Sequence, residues 1–377
     1  MSRRPLWKRL VTFALAWLAA SALIPRHAAG WDARRWFEGD RATQRALADA
    51  VARSVLEQKQ PLFYRTGNLR FDGQSAVAIY QMTLLGLGQI VLEHPELGEA
   101  YLPAMRVAAD RLVSPATLAY AASVYGQHGS VRMDPGEGHA YLGYLNLGLG
   151  MLRLVEPETR HAALHDRFTD ELAKRVFSAP TGMTETYPGE TWPPDVAAVV
   201  GSIGLHARAT GRDRTRELDA WAERFAKCTV HASGYLVQRS KSGTCIPLDA
   251  PRGSGTAVGA YFLSFAHRGL STRLAAALAK DGRRTLFGFG GIREYPDGFG
   301  GLGDVNAGPI LLGVSVGATG FGLGAARAHG DRELFTQLYR TASLFGLPAS
   351  RGGERSFAIG GALGNALLLA MLSARPA

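Results

Sequence analysis

The chain has few cysteines, few aromatic residues and no apolar run of full membrane-spanning length. Its 377 residues include only Cys228 and Cys245, and neither their spacing nor their neighbours match a metal-binding motif. Aromatic residues make up 9% of the chain, and none are interleaved with a run of Lys or Arg, as a nucleic-acid-binding face would require. The longest apolar run, LVTFALAWLAASALI, has 15 residues, whereas a spanning helix needs about 20.

The net charge of +10 is concentrated at the N-terminus. Residues 1–30 contain no acid and supply five of these charges, from Arg3, Arg4, Lys8, Arg9 and Arg26, which leaves +5 for the other 347 residues. A basic segment, a short apolar run and small residues before Trp31 are typical of a secretory signal. Residues 1–30 are therefore predicted to be a cleaved signal peptide or an anchor through residues 10–25, with residues 31–377 in the periplasm or another extracytoplasmic space.

Export permits a disulfide between the two cysteines. The segment between them, TVHASGYLVQRSKSGT, is predicted to form a β-hairpin, across which the two thiols could meet. The alternative is that both are unpaired small apolar residues.

A turn-rich loop runs into an apolar, small-residue segment six times, at nearly constant spacing. The entry points lie near Gln74, Gly138, Pro194, Ala250, Asp304 and Gly360. A fixed period of this size accommodates two helices and indicates a repeat or closed-ring architecture. The six segments are apolar around most of their circumference, as buried helices are, and charged amphipathic segments such as RTRELDAWAERFAKC lie between them.

Six inner and six outer helices predict an all-α fold of the (α/α)6 toroid class, with small β-hairpin insertions on one rim. Closure of such a ring requires the sixth inner helix, starting near Gly360, to pack beside the first. Ala362, Asn365 and Leu369 share one helix face and are expected to be buried there, with a hydrogen-bonding partner for the Asn365 amide.

The loops that enter the inner helices are long and rich in acids and aromatic residues, whereas the outgoing loops are short. Function concentrates on loops held by a rigid scaffold, so a single cleft is predicted at this rim. Proton transfer is assigned to Glu185 or Glu190, Asp195 and Asp304, with His139 and Tyr187 assisting. Substrate contacts are assigned to Glu137, Trp192, Arg252, Arg293, Glu294, Tyr295 and Asn306.

Several of these residues also have a structural interpretation. Asp195 and Asp304 could cap helix N-termini, while Glu185, Arg252 and Arg293 could belong to ordinary ion pairs. His139 could donate a single hydrogen bond at a helix start. No cofactor or metal ion is expected.

Three segments carry a resemblance to a known family: FDGQSAVAIYQM, GEGHAYLGYLNL and ETYPGETWPPDVAAV. From about Arg65 onward the chain resembles the six-hairpin toroid superfamily, and within it the linalool dehydratase/isomerase-like family. That resemblance implies roles for Asp72, Tyr80 and His139. The family's paired cysteines of the third hairpin have no counterpart here, where the chain has Glu185 and Asp195.

The acidic and aromatic rim favours an exported enzyme that uses carboxylate acid/base chemistry on a hydroxyl-rich substrate, foremost a carbohydrate. One alternative is a hydro-lyase or isomerase of a small alcohol or terpenoid. Another is a non-catalytic envelope protein that binds a glycan or a protein. A closed apolar pocket would favour the alcohol, and an open groove with exposed acids the glycan. Nucleic acid is not an expected partner, and membrane contact is expected only through the N-terminal segment.

Overall fold

The computed structural model describes residues 6–57, 73–119 and 140–375. Helices dominate, and short strands are inserted between some of them, which confirms the predicted all-α class with small β insertions. The helices are α1 Leu6–Gly30, α2 Ala33–Glu38, α3 Arg41–Leu56, α4 Gln74–Glu93, α5 Gly98–Leu112, α6 Ala140–Val155, α7 Ala162–Ser178, α8 Pro193–Thr210, α9 Thr215–Thr229, α10 Gly253–Leu263, α11 Arg268–Ala277, α12 Val316–Ala328, α13 Arg332–Gly346 and α14 Gly361–Leu372.

The strands form three small antiparallel sheets. In the first, β1 (Glu190–Thr191) pairs with β2 (Ser240–Lys241). The second has the order β3 (Arg283–Leu286), β4 (Phe289–Arg293), β6 (Val314–Ser315) and β5 (Ile310–Leu311). In the third, β7 (Pro348–Arg351) pairs with β8 (Glu354–Phe357).

Six apolar helices, α4, α6, α8, α10, α12 and α14, form the centre of the molecule, and we call them the core helices. Their glycines allow close approach of the backbones. A Cβ atom added at Gly143 of α6 would lie 2.8 Å from the backbone of Val199 in α8. One added at Gly201 of α8 would lie 2.5 Å from the carbonyl oxygen of Phe262 in α10. The glycines of these segments therefore serve helix packing.

Each core helix contacts the next one along the chain, and α14 contacts α4. The side chain of Leu369 lies against Gly86. The Gln89 amide donates to the carbonyl of Ala370 at 2.9 Å and to the hydroxyl of Ser373 at 3.2 Å. The prediction that the sixth helix packs beside the first is therefore confirmed.

The burial predicted for one face of α14 is only partly right. Leu369 is fully buried, but Ala362 and Asn365 are only half-buried. The Asn365 amide does have partners, because it accepts from the backbone N–H of Phe357 and donates to the carbonyl of the same residue. This part of α14 packs on the β7–β8 hairpin, which the periodicity of the sequence did not reveal.

The fifth core helix begins twelve residues after the predicted entry point at Asp304, so that prediction is wrong. Residues 310–315 form the β5–β6 hairpin instead, and α12 starts at Val316. Leu312 and Gly313 at the turn have φ angles of 51° and 79°, which a two-residue hairpin turn requires and a helix excludes. By composition alone, the apolar stretch ILLGVS does not differ from the start of a buried helix.

Amphipathic helices pack on the outside of the core helices. In α9, Leu218, Trp221 and Phe225 recur at helical spacing and are buried, while the charged positions face solvent. Among the helices described, α4 is long and apolar enough to cross a membrane by length and composition. It is largely buried inside the protein, as an ordinary core helix is.

Cys228 and Cys245 form a disulfide with their Cα atoms 5.0 Å apart, so the paired alternative is correct. The segment between them is not a simple hairpin. Val230 bridges to Leu236, but Ser240–Lys241 pairs with Glu190–Thr191 instead. The disulfide thus fastens the end of α9 to a loop that reaches the third and fourth core helices.

Candidate functional site

A cavity of about 250 Å³ lies where the core helices meet. All six contribute to its wall, and apolar side chains make up most of the lining. The apolar lining residues are Val77, Ala78, Met82, Trp192, Pro194, Val258, Val305, Phe262, Phe321, Leu363 and Leu367. The polar ones are Gln74, Ser75, Gln81, Tyr144, Asp195, Gln238, Ser254 and Asn306. Asp195 is the one carboxyl group that lines the cavity in the described part of the chain.

Asp195 occupies the first turn of α8. Pro193 and Pro194 begin the helix, because proline lacks the N–H that a helix start leaves unpaired. The Asp195 side chain is buried, and Tyr144 of α6 donates its hydroxyl hydrogen to Asp195 Oδ1 at 2.5 Å. Two core helices thus fix the position of this carboxyl group in the cavity wall.

Burial raises the pKa of Asp195 to about 7. The hydrogen bond from Tyr144 opposes this rise, because it stabilises the ionised form, and the nearby charge of Asp304 adds to it. Arg239 and Arg252 pair with other acids, and no cation lies within ion-pair distance of Asp195 among the described residues. Asp195 can therefore both hold and release a proton near neutral pH.

Asp304 is held differently from Asp195. Its Oδ2 accepts from Arg252 Nη1 at 2.9 Å and from Gln238 Nε2 at 3.1 Å. Its Oδ1 accepts from the backbone N–H groups of Asn306 and Ala307. Asp304 therefore organises the loop before the β5–β6 hairpin and is an ion-paired carboxylate.

Glu294 is fully buried next to the same arginine. It accepts from the Ser254 hydroxyl at 2.6 Å and from the Ser254 N–H at 3.2 Å. Burial raises its pKa, against the effect of the hydrogen bonds from Ser254 and Ser315. Glu294 does not line the cavity. It fastens the end of β4 to the first turn of α10.

The other two predicted acids have structural partners outside the cavity. Glu190 is buried in β1 and accepts from Arg239 Nη1 at 2.8 Å. Glu185 accepts from the backbone N–H of Gly189 at 3.1 Å and so closes a turn. Tyr187 is buried, with its ring edge toward Trp192 at a centroid distance of 6.2 Å.

The predicted binding residues divide into two groups. Trp192 and Asn306 line the cavity. Arg252 and Tyr295 do not line the cavity, and the Arg252 guanidinium lies 5.6 Å from the centroid of the Tyr295 ring. Arg293 pairs with the exposed Asp297 at 2.6 Å and does not reach the cavity.

Tyr80 lies in the core and not in the cavity wall. It is buried and burial raises its pKa, but neighbouring positions of α4 are the ones that line the cavity. Asp72, Glu137 and His139, which the resemblance and the loop pattern singled out, lie outside the described residues.

Sequence reasoning missed the three glutamines of the cavity wall and Tyr144. Gln81 is fully buried and lines the cavity, and neither Nε2 nor Oε1 of its amide has a hydrogen-bonding partner among the described residues. Gln238 Oε1 and Gln74 Oε1 also lack partners. A buried amide without partners costs about 1–3 kcal/mol per group. Their spacing places Gln74, Ala78 and Gln81 on one face of the helix. Spacing alone does not tell which face of the helix lines the cavity.

Within residues 6–57, 73–119 and 140–375, no group of three or more His, Cys, Asp or Glu side chains is arranged to hold a metal ion. No family model matches the chain, and no curated protein matches it.

Proposed function

We propose that the chain is an (α/α)6 toroid enzyme whose active site is the central cavity. The order of contacts among the core helices supports the ring, since each contacts its successor and α14 contacts α4. The cavity lies at the N-terminal ends of α8 and α10, where Asp195 and Ser254 are found. These ends follow the long acidic and aromatic loops.

The proposed reaction is acid/base chemistry on a small, largely apolar alcohol, of the hydro-lyase or isomerase type. The observation that carries it is the buried Asp195, the one carboxyl group of the described residues in this mainly apolar wall, with a pKa of about 7. Small-molecule sites have this composition, with few polar groups that fix orientation. The bulk of such a substrate would contact Met82, Phe262 and Phe321.

The chemistry can be written around Asp195. In its protonated form it donates to the substrate hydroxyl, so that the C–O bond breaks and water leaves. The resulting carboxylate then takes a proton from the adjacent carbon, and the C–H electrons form the double bond. Asp195 is protonated again at the end, so the dehydration of the alcohol to an alkene and water needs no other reactant. Tyr144 keeps the carboxyl group oriented throughout.

A glycosidase would need a second carboxyl group across the cavity. Among the described residues the candidate is Asp304, which is engaged by Arg252, Gln238 and two backbone amides. Glu185 and Glu190 lie outside the cavity wall. More of the described lining residues are apolar than polar, so these features favour the alcohol.

The test is turnover of a panel of branched and terpenoid alcohols, with a glycan panel in parallel. Asp195→Asn should abolish turnover of any alcohol that the unmodified protein dehydrates or isomerises. Glu190→Gln removes another buried acid outside the cavity and should leave turnover within a few-fold of the unmodified protein. Turnover of a glycan, or an active Asp195→Asn variant, would contradict the proposal.

A further inference from the structure

The end of α1, the β3–β4 hairpin and the end of α13 lie together on the surface. The Arg26 side chain lies against Gly288 at the hairpin turn, and the Arg340 side chain lies against Gly30. Arg340 Nη1 also donates to the carbonyl of Gly288 at 3.0 Å. Traced back from Gly30 to Arg26, α1 therefore runs past α13 and leaves the body of the protein beside the hairpin turn.

Beyond that point α1 presents bare apolar side chains. Phe13, Trp17, Leu23 and Ile24 are each more than half exposed, although α1 packs on α13 near its other end. Its apolar run of 15 residues spans about 22 Å at 1.5 Å per residue, less than the roughly 30 Å of a bilayer core. The helix alone thus has less apolar length than a full membrane crossing.

The neighbouring hairpin turn adds apolar surface at the place where α1 leaves. Leu286 and Phe287 are each 67% exposed, and Phe345 near the end of α13 is 65% exposed. Phe287 has φ 49°, a left-handed conformation that a bulky residue rarely adopts. The turn therefore exposes the Phe287 ring to solvent, although phenylalanine disfavours the backbone conformation that the turn requires.

Three arginines near this patch are not neutralised by a direct ion pair. Arg26, Arg284 and Arg340 have no carboxylate within ion-pair distance in the described ranges. Burial lowers the pKa of Arg340, and repulsion from the nearby charge of Arg26 lowers it further. An anionic partner would relieve this repulsion, and basic residues beside apolar ones are typical of surfaces that bind anionic lipid.

We propose that Leu286, Phe287 and Phe345 rest in the interface of an anionic phospholipid bilayer into which α1 extends, with Arg26, Arg284 and Arg340 at the headgroups. The β3–β4 hairpin is then a second membrane contact in addition to the N-terminal helix. Apolar residues at such surfaces lie about 5–10 Å deep, at the boundary of headgroups and acyl chains.

The test is a depth measurement on the full chain reconstituted in vesicles of phosphatidylethanolamine and phosphatidylglycerol. A nitroxide is attached to Phe287→Cys, and the control is Leu312→Cys, which is fully exposed at the turn of the neighbouring β5–β6 hairpin. Both native cysteines are in the disulfide, so each variant carries one reactive thiol. The ratio of oxygen to nickel-complex accessibility should be several-fold higher at position 287 than at position 312.

Equal, water-like accessibility at the two positions would overturn the proposal. So would spin–spin broadening at position 287 in detergent without lipid, because a second copy of the chain would then cover the patch. Vesicles of phosphatidylcholine alone, which carry no net charge, test whether the arginines bind anionic headgroups. Shallower immersion of position 287 there supports the headgroup contact, and equal immersion contradicts that part.

Discussion

The carboxyl group of Asp195 lies where two local effects oppose each other. The first turn of a helix favours a negative charge, and Tyr144 donates to the carboxylate. Burial disfavours the charge and dominates, so that the pKa rises from 3.8 to about 7. Strongly shifted acids cluster at functional sites, and a carboxyl group so placed lowers the stability of the fold whenever it is ionised.

This cost predicts a pH-dependent stability difference between the unmodified protein and Asp195→Asn. Below pH 3.8 the carboxyl group is protonated in both folded and unfolded chains. Between pH 3.8 and about 7 only the folded chain keeps the proton, so stability falls as pH rises through this range. Asp195→Asn has no carboxyl group at this position and therefore does not lose stability in this way as pH rises. Its advantage in free energy of unfolding should grow with pH and level off above pH 7, at no more than about 4 kcal/mol.

Urea unfolding of both proteins at pH 5, 6, 7 and 8 measures this difference, with Glu190→Gln as the control for removing a buried acid. A difference between Asp195→Asn and the unmodified protein that does not change with pH would show that the carboxyl group titrates at an ordinary pKa. The proposed acid/base role would then lose its basis.

Gln81 is the second residue for which a substrate role can be tested. Its amide is buried in the cavity wall and has no partner in the described part of the chain, so it is available to the hydroxyl group of a substrate. Gln81→Leu should raise KM for the alcohol by about tenfold or more, since one such hydrogen bond contributes about 1.5 kcal/mol. It should also stabilise the empty protein, because an unsatisfied polar group is removed.

Thermal unfolding without ligand and steady-state kinetics together check this prediction. Leu363, an apolar residue of the same cavity wall, provides the control as Leu363→Met, which preserves volume and polarity. A Gln81→Leu variant with unchanged KM and lower stability would mean that the amide is structural.

At the scale of the helix, glycine has two different consequences in the core helices. Gly201 faces the backbone of α10, and a methyl group there would lie 2.5 Å from a carbonyl oxygen that cannot move independently. Gly201→Ala should therefore destabilise the protein by about 1–3 kcal/mol through overpacking. Gly320 of α12 has no atom within 4 Å of the added position. Gly320→Ala should therefore stabilise the protein by about 0.5–1 kcal/mol.

Chemical denaturation of the two variants beside the unmodified protein gives both values. The sign is the informative quantity, since helix propensity alone favours alanine at both positions. Stabilisation by Gly201→Ala would show that α8 and α10 are farther apart than the structure has them.

Helix periodicity predicted the core helices well because an apolar helix buried on all sides has a strong signal over many residues. It failed at α12, where the apolar residues of the β5–β6 hairpin continue directly into the helix. There the positive φ angles of Leu312 and Gly313 decide the structure, and leucine gives no warning of such a turn. The disulfide depended on how the loop between the cysteines folds, which local pattern did not determine.

The candidate site was only partly predictable for a related reason. Asp195, Trp192 and Asn306 follow from the rule that loops before buried helices carry function. Tyr144, Gln81 and Gln238 line the same cavity because distant helices bring them there. Their contribution depends on how each helix is rotated about its own axis, a property that a sequence rich in apolar residues on every side leaves open.

At the scale of the whole molecule, the contact between α14 and α4 is the structural feature on which the proposed ring depends. A chain that ends at Ile359 lacks α14, and it exposes Gly86 and Gln89 of α4. Loss of one of six core helices should abolish the cooperative unfolding transition. A chain that ends at Arg375, which keeps α14, should retain it.

Circular dichroism during urea titration distinguishes the two chains. If the shorter chain unfolds cooperatively at the same urea concentration as the longer one, the other core helices are stable without the contact between α14 and α4. The ring assignment would then be wrong, although the cavity residues on the other helices would stay as described.

The hydrogen bond from Gln89 to Ala370 joins residues 281 positions apart. This separation sets a delay between the synthesis of the two residues. At about 5–20 residues per second, a ribosome needs roughly 15–60 s to make the stretch between these two residues. For that interval the apolar face of α4 exists without the helix that covers it. The nascent chain therefore passes through a long period in which its first core helix is open to other proteins, and its safe synthesis depends on whatever shields that face until the last helix arrives.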